Sequence, residues 1–116
     1  MNIPVHEYPI TQRIIEISQE FAIKNEATEV KVINLVVGDY SGYVASSIEL
    51  YFEIIAEGSI CSKAKLNIER ILPKLKCNQC GELFIRIPFS FQCPLCDGEG
   101  APTEIGQEFY IKSIEV

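Results

Sequence analysis

The stretch CNQCGELFIRIPFSFQCPLC, residues 77–96, decides how this chain is organised. It holds two C-x2-C pairs, Cys77 with Cys80 and Cys93 with Cys96, separated by the 12 residues 81–92. Two thiolates with two residues between them can turn onto one ion, and a second such pair completes a tetrahedron. The spacing therefore predicts a four-cysteine metal site, in preference to free or redox-active thiols.

A shell of four thiolates has no open coordination position, so the site is expected to be structural and to hold Zn²⁺. The two pairs also resemble the knuckles of rubredoxin, which hold one iron for electron transfer, because thiolate ligands alone do not choose between these metals. A segment of about 30 residues is too short to bury a core of its own. We therefore expect this module to be largely unfolded without its ion.

The sequence on either side of the cysteine stretch has the periodicity of regular structure. Apolar spacing predicts two helices, over 9–24 and 46–57, and three strands, over 29–37, 64–72 and 106–116. Ser46 and Glu49 have the form of a capping box at the start of the second helix. A change of phase between Ile111 and Ile114 predicts a bulge in the last strand. The apolar stripe expected on the first helix consists of Ile10, Ile14, Ile17 and Phe21.

These elements predict an α+β fold, with two helices packed on a small three-stranded mixed sheet and a zinc-ribbon-like module inserted before the last strand. The expected domains are an α/β domain formed by residues 1–72 and 105–116, and a four-cysteine module formed by residues 73–104. The open edges of so small a sheet leave room for pairing between two copies, so a homodimer is one expected state.

The composition argues against two classes of protein, nucleic-acid-binding proteins and membrane-spanning proteins. The chain has 116 residues, 10 Lys and Arg against 16 Asp and Glu, and a net charge of -6. An acidic chain argues against nucleic-acid binding, which needs a basic face, and no apolar run approaches the length of a membrane span.

No targeting segment is recognisable, so we expect a cytoplasmic protein. Five cysteines in that reducing compartment point to metal ligation rather than disulfides; Cys61, outside the two pairs, is expected to be a small buried side chain.

The chain has one histidine, His6, which is followed by Glu7 and precedes the first helix. Position 10 is Ile10, so the H-E-x-x-H pattern of zinc peptidases is absent, and no nucleophile–histidine pair is recognisable. We therefore expect a protein that is not an enzyme. A neutral imidazole with a carboxylate or a backbone nitrogen suits Ni²⁺ or Cu²⁺. A single histidine would make an exposed and exchangeable site.

In this order, the motifs resemble the HypA/HybF family of nickel metallochaperones in hydrogenase maturation. The matching features are His6-Glu7, Gln12, the segment 36–42 (VVGDYSG), Phe52-Glu53, Gly58, Pro73, the two cysteine pairs and the closing segment 106–116. The resemblance implies that His6 and Glu7 bind Ni²⁺ as transported cargo, and that Cys77, Cys80, Cys93 and Cys96 hold Zn²⁺. It further implies delivery of nickel to the large subunit of nickel–iron hydrogenase together with a maturation GTPase, and in some organisms work with a urease accessory protein.

The amino terminus departs from the family pattern. The family usually begins Met-His-Glu, and its terminal amine helps to bind nickel, whereas here residues 1–4 precede Val5-His6-Glu7. One hypothesis is that Val5 marks the true start of the chain, which the intact mass of the native protein would test. If residues 1–4 are retained, the amine cannot join the same chelate ring and nickel affinity should be lower.

Two other functions fit parts of the sequence. A rubredoxin-like electron carrier would contain one iron and would not depend on His6. A plain zinc-ribbon interaction module would bind no nickel and would act only by docking to a partner.

Overall fold

The computed structural model describes residues 6–86 and 90–116. Each helix and strand predicted from periodicity is present, with its ends within three residues of the predicted positions. The result is the expected α+β fold, with a small mixed sheet, two helices and a cysteine-bearing insertion. In chain order the elements are α1 (Glu7–Lys24), β1 (Val32–Gly38), α2 (Ala45–Ala56), β2 (Lys65–Ile71), β3 (Lys74–Cys77), β4 (Leu83–Ile85), β5 (Gly100–Pro102) and β6 (Phe109–Glu115).

The first sheet has the strand order β2-β1-β6. Strand β1 runs parallel to β2, to which α2 connects it, and antiparallel to β6. Ile33, Leu35 and Val37 of β1 enter the main core, while Val36, which is also buried, lies outside that core cluster. A strand covered in this way is apolar along nearly its whole length, as residues 32–37 are apart from Asn34.

Helix α1 buries a face that only partly matches the expected stripe. Ile14 of that stripe is buried, together with Ile15, whereas Phe21 is exposed. Three of the buried positions carry small side chains, Thr11, Ser18 and Ala22. The two hydroxyls donate to the helix's own carbonyls, Thr11 to Glu7 O and Ser18 to Ile14 O, so burying them leaves no unpaired polar group.

The capping box predicted for α2 is wrong. The helix begins one residue before Ser46, its N-cap is Val44, and no side chain caps it. The backbone N–H of Val44 is instead bonded to a side chain of α1, described below. Neither α1 nor α2 is long and apolar enough to cross a membrane, and residues 6–86 and 90–116 contain no other helix to consider.

The bulge predicted in the last strand is present in β6. Asn34 pairs with Ser113 and Leu35 with Ile111, so Lys112 has no partner on β1. The extra residue lets both Ile111 and Ile114 pack against the main core, although they are three positions apart.

The cysteine-bearing segment forms a second sheet with the order β4-β3-β5. Its buried cluster is small and consists of Leu75, Phe84, Cys77 and Cys93. Gly100 is needed here, because a Cβ at that position would lie 2.5 Å from the Phe84 ring. The domain limits given above from the sequence remain a prediction.

Gly38, at the end of β1, packs directly against the backbone of the turn before β6. A Cβ there would overlap the carbonyl of Gly106 and lie 2.8 Å from the amide nitrogen of Glu108. Because backbone atoms cannot move aside cheaply, we expect Gly38→Ala to lower the free energy of unfolding by about 1–3 kcal/mol. Ser46→Ala adds no group to a contact and removes no cap, so it should change stability by less than about 0.5 kcal/mol. Urea denaturation measures both, and equal stability of the two variants would contradict the packing argument.

Candidate metal centres

The four cysteines of the two pairs come together at the tip of the second sheet. Their sulfur atoms all lie within 4.8 Å of one another. Cys77 Sγ is 3.3 Å from Cys96 Sγ, and Cys80 Sγ is 3.7 Å from Cys93 Sγ. These separations are too long for a disulfide bond of about 2.05 Å. They are close to the edge of a tetrahedron with metal–sulfur bonds of about 2.3 Å, which is roughly 3.8 Å.

Each C-x2-C pair is a tight turn that directs backbone donors at sulfur. Gly81 N–H bonds to Cys77 O at 3.1 Å, and the second pair repeats this with Asp97 N–H and Cys93 O at 3.0 Å. The N–H of Gln79 lies 3.4 Å from Cys77 Sγ. Such donors stabilise a thiolate and leave its remaining lone pairs for a cation.

The residue after each of the two turns has left-handed backbone. Gly81 has φ +77°, and in the second turn the left-handed residue is Asp97, with φ +63°. Gly98 is required for space instead, because a Cβ there would lie 2.9 Å from Cys77 Sγ.

The pKa values of the thiols show why the cluster suits a cation. Mainly the Cys80 backbone N–H, joined by that of Gln79, lowers the pKa of Cys77 to about 6 against desolvation. The N–H of Glu82 lowers the pKa of Cys80, but desolvation and the three neighbouring thiols raise it to about 12. Cys77 therefore loses its proton more readily than Cys80. A divalent ion at the centre would stabilise the thiolate form of each ligand, so the donor set fits a resident metal.

The histidine and the glutamate predicted as ligands lie apart from the cysteine cluster, beside the segment that follows β1. His6 Nε2 lies 2.7 Å from the carbonyl oxygen of Gly42 and 2.9 Å from Glu7 Oε1. The same Oε1 accepts a hydrogen bond from the N–H of Val44 at 3.0 Å. The His6 side chain is 57% exposed and that of Glu7 is 0% exposed. The imidazole ring centre is 5.4 Å from that of Tyr43.

Sequence reasoning missed the contribution of the segment 42–44. Nothing in the local sequence shows that Gly42 contacts a histidine 36 residues earlier, or that Val44 bonds to the glutamate beside that histidine. The four cysteines form the only group of three or more potential ligand side chains in the described part of the chain. His6 and Glu7 are a pair outside it. The hypothesis about residues 1–4 and Val5 concerns residues outside those described.

Comparison with known proteins matches these observations to one family. A family model described as hydrogenase/urease nickel incorporation, metallochaperone, HypA matches residues 5–116, which include the histidine–glutamate pair and all four cysteines. The chain belongs to the HypA family. Membership confirms the resemblance read from the sequence, and with it a family role in hydrogenase maturation.

Individual relatives in the HypA family are similar over nearly their full length. The hydrogenase maturation factor HypA of Caldanaerobacter subterraneus subsp. tengcongensis is 36% identical over 113 residues, which cover 97% of this chain and 99% of the relative. That of Dehalococcoides mccartyi strain CBDB1 is 38% identical over 112 residues, 97% and 94% of the two chains. A solution structure of the nickel metallochaperone HypA from Helicobacter pylori is 27% identical with a TM-score of 0.61, covering 94% of this chain and 95% of that one.

Replacing one cysteine of the cluster should release the metal. Cys93 is fully buried in the second sheet, and Cys93→Ala leaves three sulfur donors around the ion. We expect this variant to be purified with much less than one equivalent of metal and to lose the protection of amide protons in β3–β5. Elemental analysis and hydrogen exchange measure the two effects.

Cys61 provides the matched control, because it is equally buried but packs in the main core. Cys61→Ala should keep a full equivalent of metal while losing a modest amount of stability. Loss of the metal from both variants would show that the effect reflects general unfolding and not ligation.

Proposed function

We propose that this HypA-family chain is a nickel carrier that binds Ni²⁺ at His6 and Glu7 and delivers it during maturation of nickel–iron hydrogenase. The observation that carries the proposal is the placement of His6, whose ring is exposed while one of its nitrogens is held by Gly42 and Glu7. The family match, which includes both residues, supports it.

The surroundings of His6 suit a site that must release its ion. An imidazole binds Ni²⁺ well, and backbone nitrogens complete a tetragonal plane. The chain supplies one imidazole and one neighbouring carboxyl group here, so several positions around the ion stay open to water or to a partner. Because the ring is more than half exposed, a partner's ligands can approach from solvent. Nickel would then pass by ligand exchange inside a complex, and the chain would act as a carrier and not as an enzyme.

The four cysteines are proposed to hold a structural Zn²⁺. Bound there, the ion would cross-link β3 to the turn at 93–96, and its closed sulfur shell would exclude substrate chemistry. Within residues 74–86 and 90–102, the buried cluster of the second sheet contains two large apolar side chains, Leu75 and Phe84. So small a core needs a cross-link of this kind.

The proposed partners follow from the carrier role. A maturation GTPase would exchange nickel with the chain, and the large subunit of the hydrogenase would receive it. Work with a urease accessory protein is the further proposal, supported by the family description, which names urease beside hydrogenase. Thiols that must stay reduced to bind metal favour the cytoplasm as the place of action. A homodimer paired through an open sheet edge remains a proposal.

Replacing the histidine tests the carrier function. We expect the wild-type chain to bind one Ni²⁺ per monomer in calorimetric titration, and His6→Ala to lose that binding because the imidazole supplies the strongest donor. Zinc content and thermal stability of His6→Ala should stay at the wild-type level, since His6 is exposed.

One equivalent of nickel retained by His6→Ala would refute the site. Absence of nickel binding in the wild-type chain would favour the alternative function of a zinc-ribbon interaction module. A red protein with one iron would indicate the rubredoxin-like carrier, since zinc tetrathiolate is colourless.

A further inference from the structure

We propose that Glu7 is a positioning residue for His6: its buried Oε1 fixes the hydrogen on Nε2 of the imidazole, so that Nδ1 is the nitrogen offered to nickel. The carboxyl group itself stays outside the coordination sphere. This inference rests on the proposed nickel function and assigns different roles to the two residues of the site.

The position of the Glu7 side chain argues against a carboxylate ligand. Glu7 is the first residue of α1, and its side chain is fully buried. Oε1 receives the N–H of Val44 at 3.0 Å, which ties the start of α1 to the start of α2. To reach an ion in solvent, the carboxyl group would have to break this bond and leave the Val44 N–H without its hydrogen-bond partner.

The contacts of the imidazole decide which of its nitrogens carries hydrogen. His6 Nε2 lies 2.7 Å from Gly42 O and 2.9 Å from Glu7 Oε1. A carbonyl oxygen is only an acceptor, and Oε1 is already accepting from Val44, so Nε2 must be the donor. In a neutral imidazole with hydrogen on one nitrogen, the other nitrogen bears the lone pair. Nδ1 is therefore the metal-binding atom of the neutral ring.

A carboxyl group on the far nitrogen of a histidine also strengthens it as a ligand. The bond fixes the orientation of the ring and raises its basicity, and removal of such a partner typically lowers metal affinity 10- to 100-fold. Here Tyr43, with its ring centre 5.4 Å away, restricts the imidazole as well.

The second oxygen of Glu7 indicates that burying this carboxyl group costs free energy of folding. Oε2 is buried and has no hydrogen-bond partner among residues 6–86 and 90–116. An apolar side chain of similar length would avoid that cost, at the expense of the contact with His6. A Ni²⁺ ion bound to the imidazole would bring positive charge towards the buried Oε2 and offset part of that cost.

Two replacements of Glu7 test the role. Glu7→Gln keeps an acceptor at Oε1 but removes its charge, and Glu7→Met fills a similar volume with no acceptor. We expect nickel affinity, measured by calorimetry, to fall about tenfold in Glu7→Gln and towards 100-fold in Glu7→Met. The visible ligand-field spectrum of bound nickel should stay that of the wild type, because no ligand is lost. Glu16→Gln, the same change at an exposed position of α1, is the matched control and should bind as the wild type does.

A measurement on the metal-free protein distinguishes a positioning role of Glu7 from a general effect on folding. In the metal-free wild type, ring ¹⁵N chemical shifts should show the Nε2–H tautomer of His6 alone, and Glu7→Met should shift them towards an average of the two tautomers. If both variants change the ligand-field spectrum as loss of an oxygen donor would, Glu7 is a ligand and the inference is wrong. It is equally wrong if the ring shifts do not change, or if affinity merely follows melting temperature. Failure of the wild type to bind nickel would instead refute the proposed function, whatever the ring shifts show.

Discussion

The close approach of Gly38 to the turn before β6 is the constraint on which the rest of the structure depends. It lets the backbone after β1 bond in turn to Glu108 O, Ile71 O and Gly106 O, through the N–H groups of residues 38, 39 and 40. These bonds hold the segment between β1 and α2 against both neighbouring strands. A side chain at position 38 would push that segment away.

The same segment contacts both the histidine centre and the second sheet. Gly42 contacts the imidazole of His6, while the hydroxyl of Tyr40 accepts a hydrogen bond from Arg86, which follows β4 of the second sheet. The Arg86 guanidinium in turn lies 5.0 Å from the centre of the Phe91 ring. A rigid segment between β1 and α2 therefore defines where the second sheet and the exposed histidine stand relative to the main sheet.

Much of this architecture could be predicted from the sequence, because it depends on patterns among residues that are close together in the chain. Periodicity located both helices and three strands, and the change of phase between Ile111 and Ile114 located the bulge opposite Leu35. The cysteine spacing predicted a single four-sulfur cluster, and the four sulfur atoms lie within 4.8 Å of one another. The buried face of α1 was misjudged because Thr11 and Ser18 satisfy their own hydroxyls on the helix, which lets polar residues enter the core.

Long-range backbone contacts could not be predicted, and they shape the histidine centre. The carbonyl of Gly42 and the N–H of Val44 have no side-chain identity that a sequence could reveal, yet they hold the imidazole and the carboxyl group. The failed capping box at Ser46 has the same origin: Glu7 of α1, and not a local hydroxyl, bonds the backbone at the start of α2.

The two centres solve opposite physical problems with different donors. In the proposed zinc site, four thiolates would surround the ion completely, so exchange would require the second sheet to open. In the proposed nickel site, one exposed imidazole leaves most of the ion uncovered, so its affinity would come from orientation and basicity rather than from the number of ligands. Under the role proposed for Glu7, the buried carboxyl group behind the ring would supply both without occupying a position on the ion. The remaining positions would then stay open to a partner, which is what transfer of a cargo ion requires.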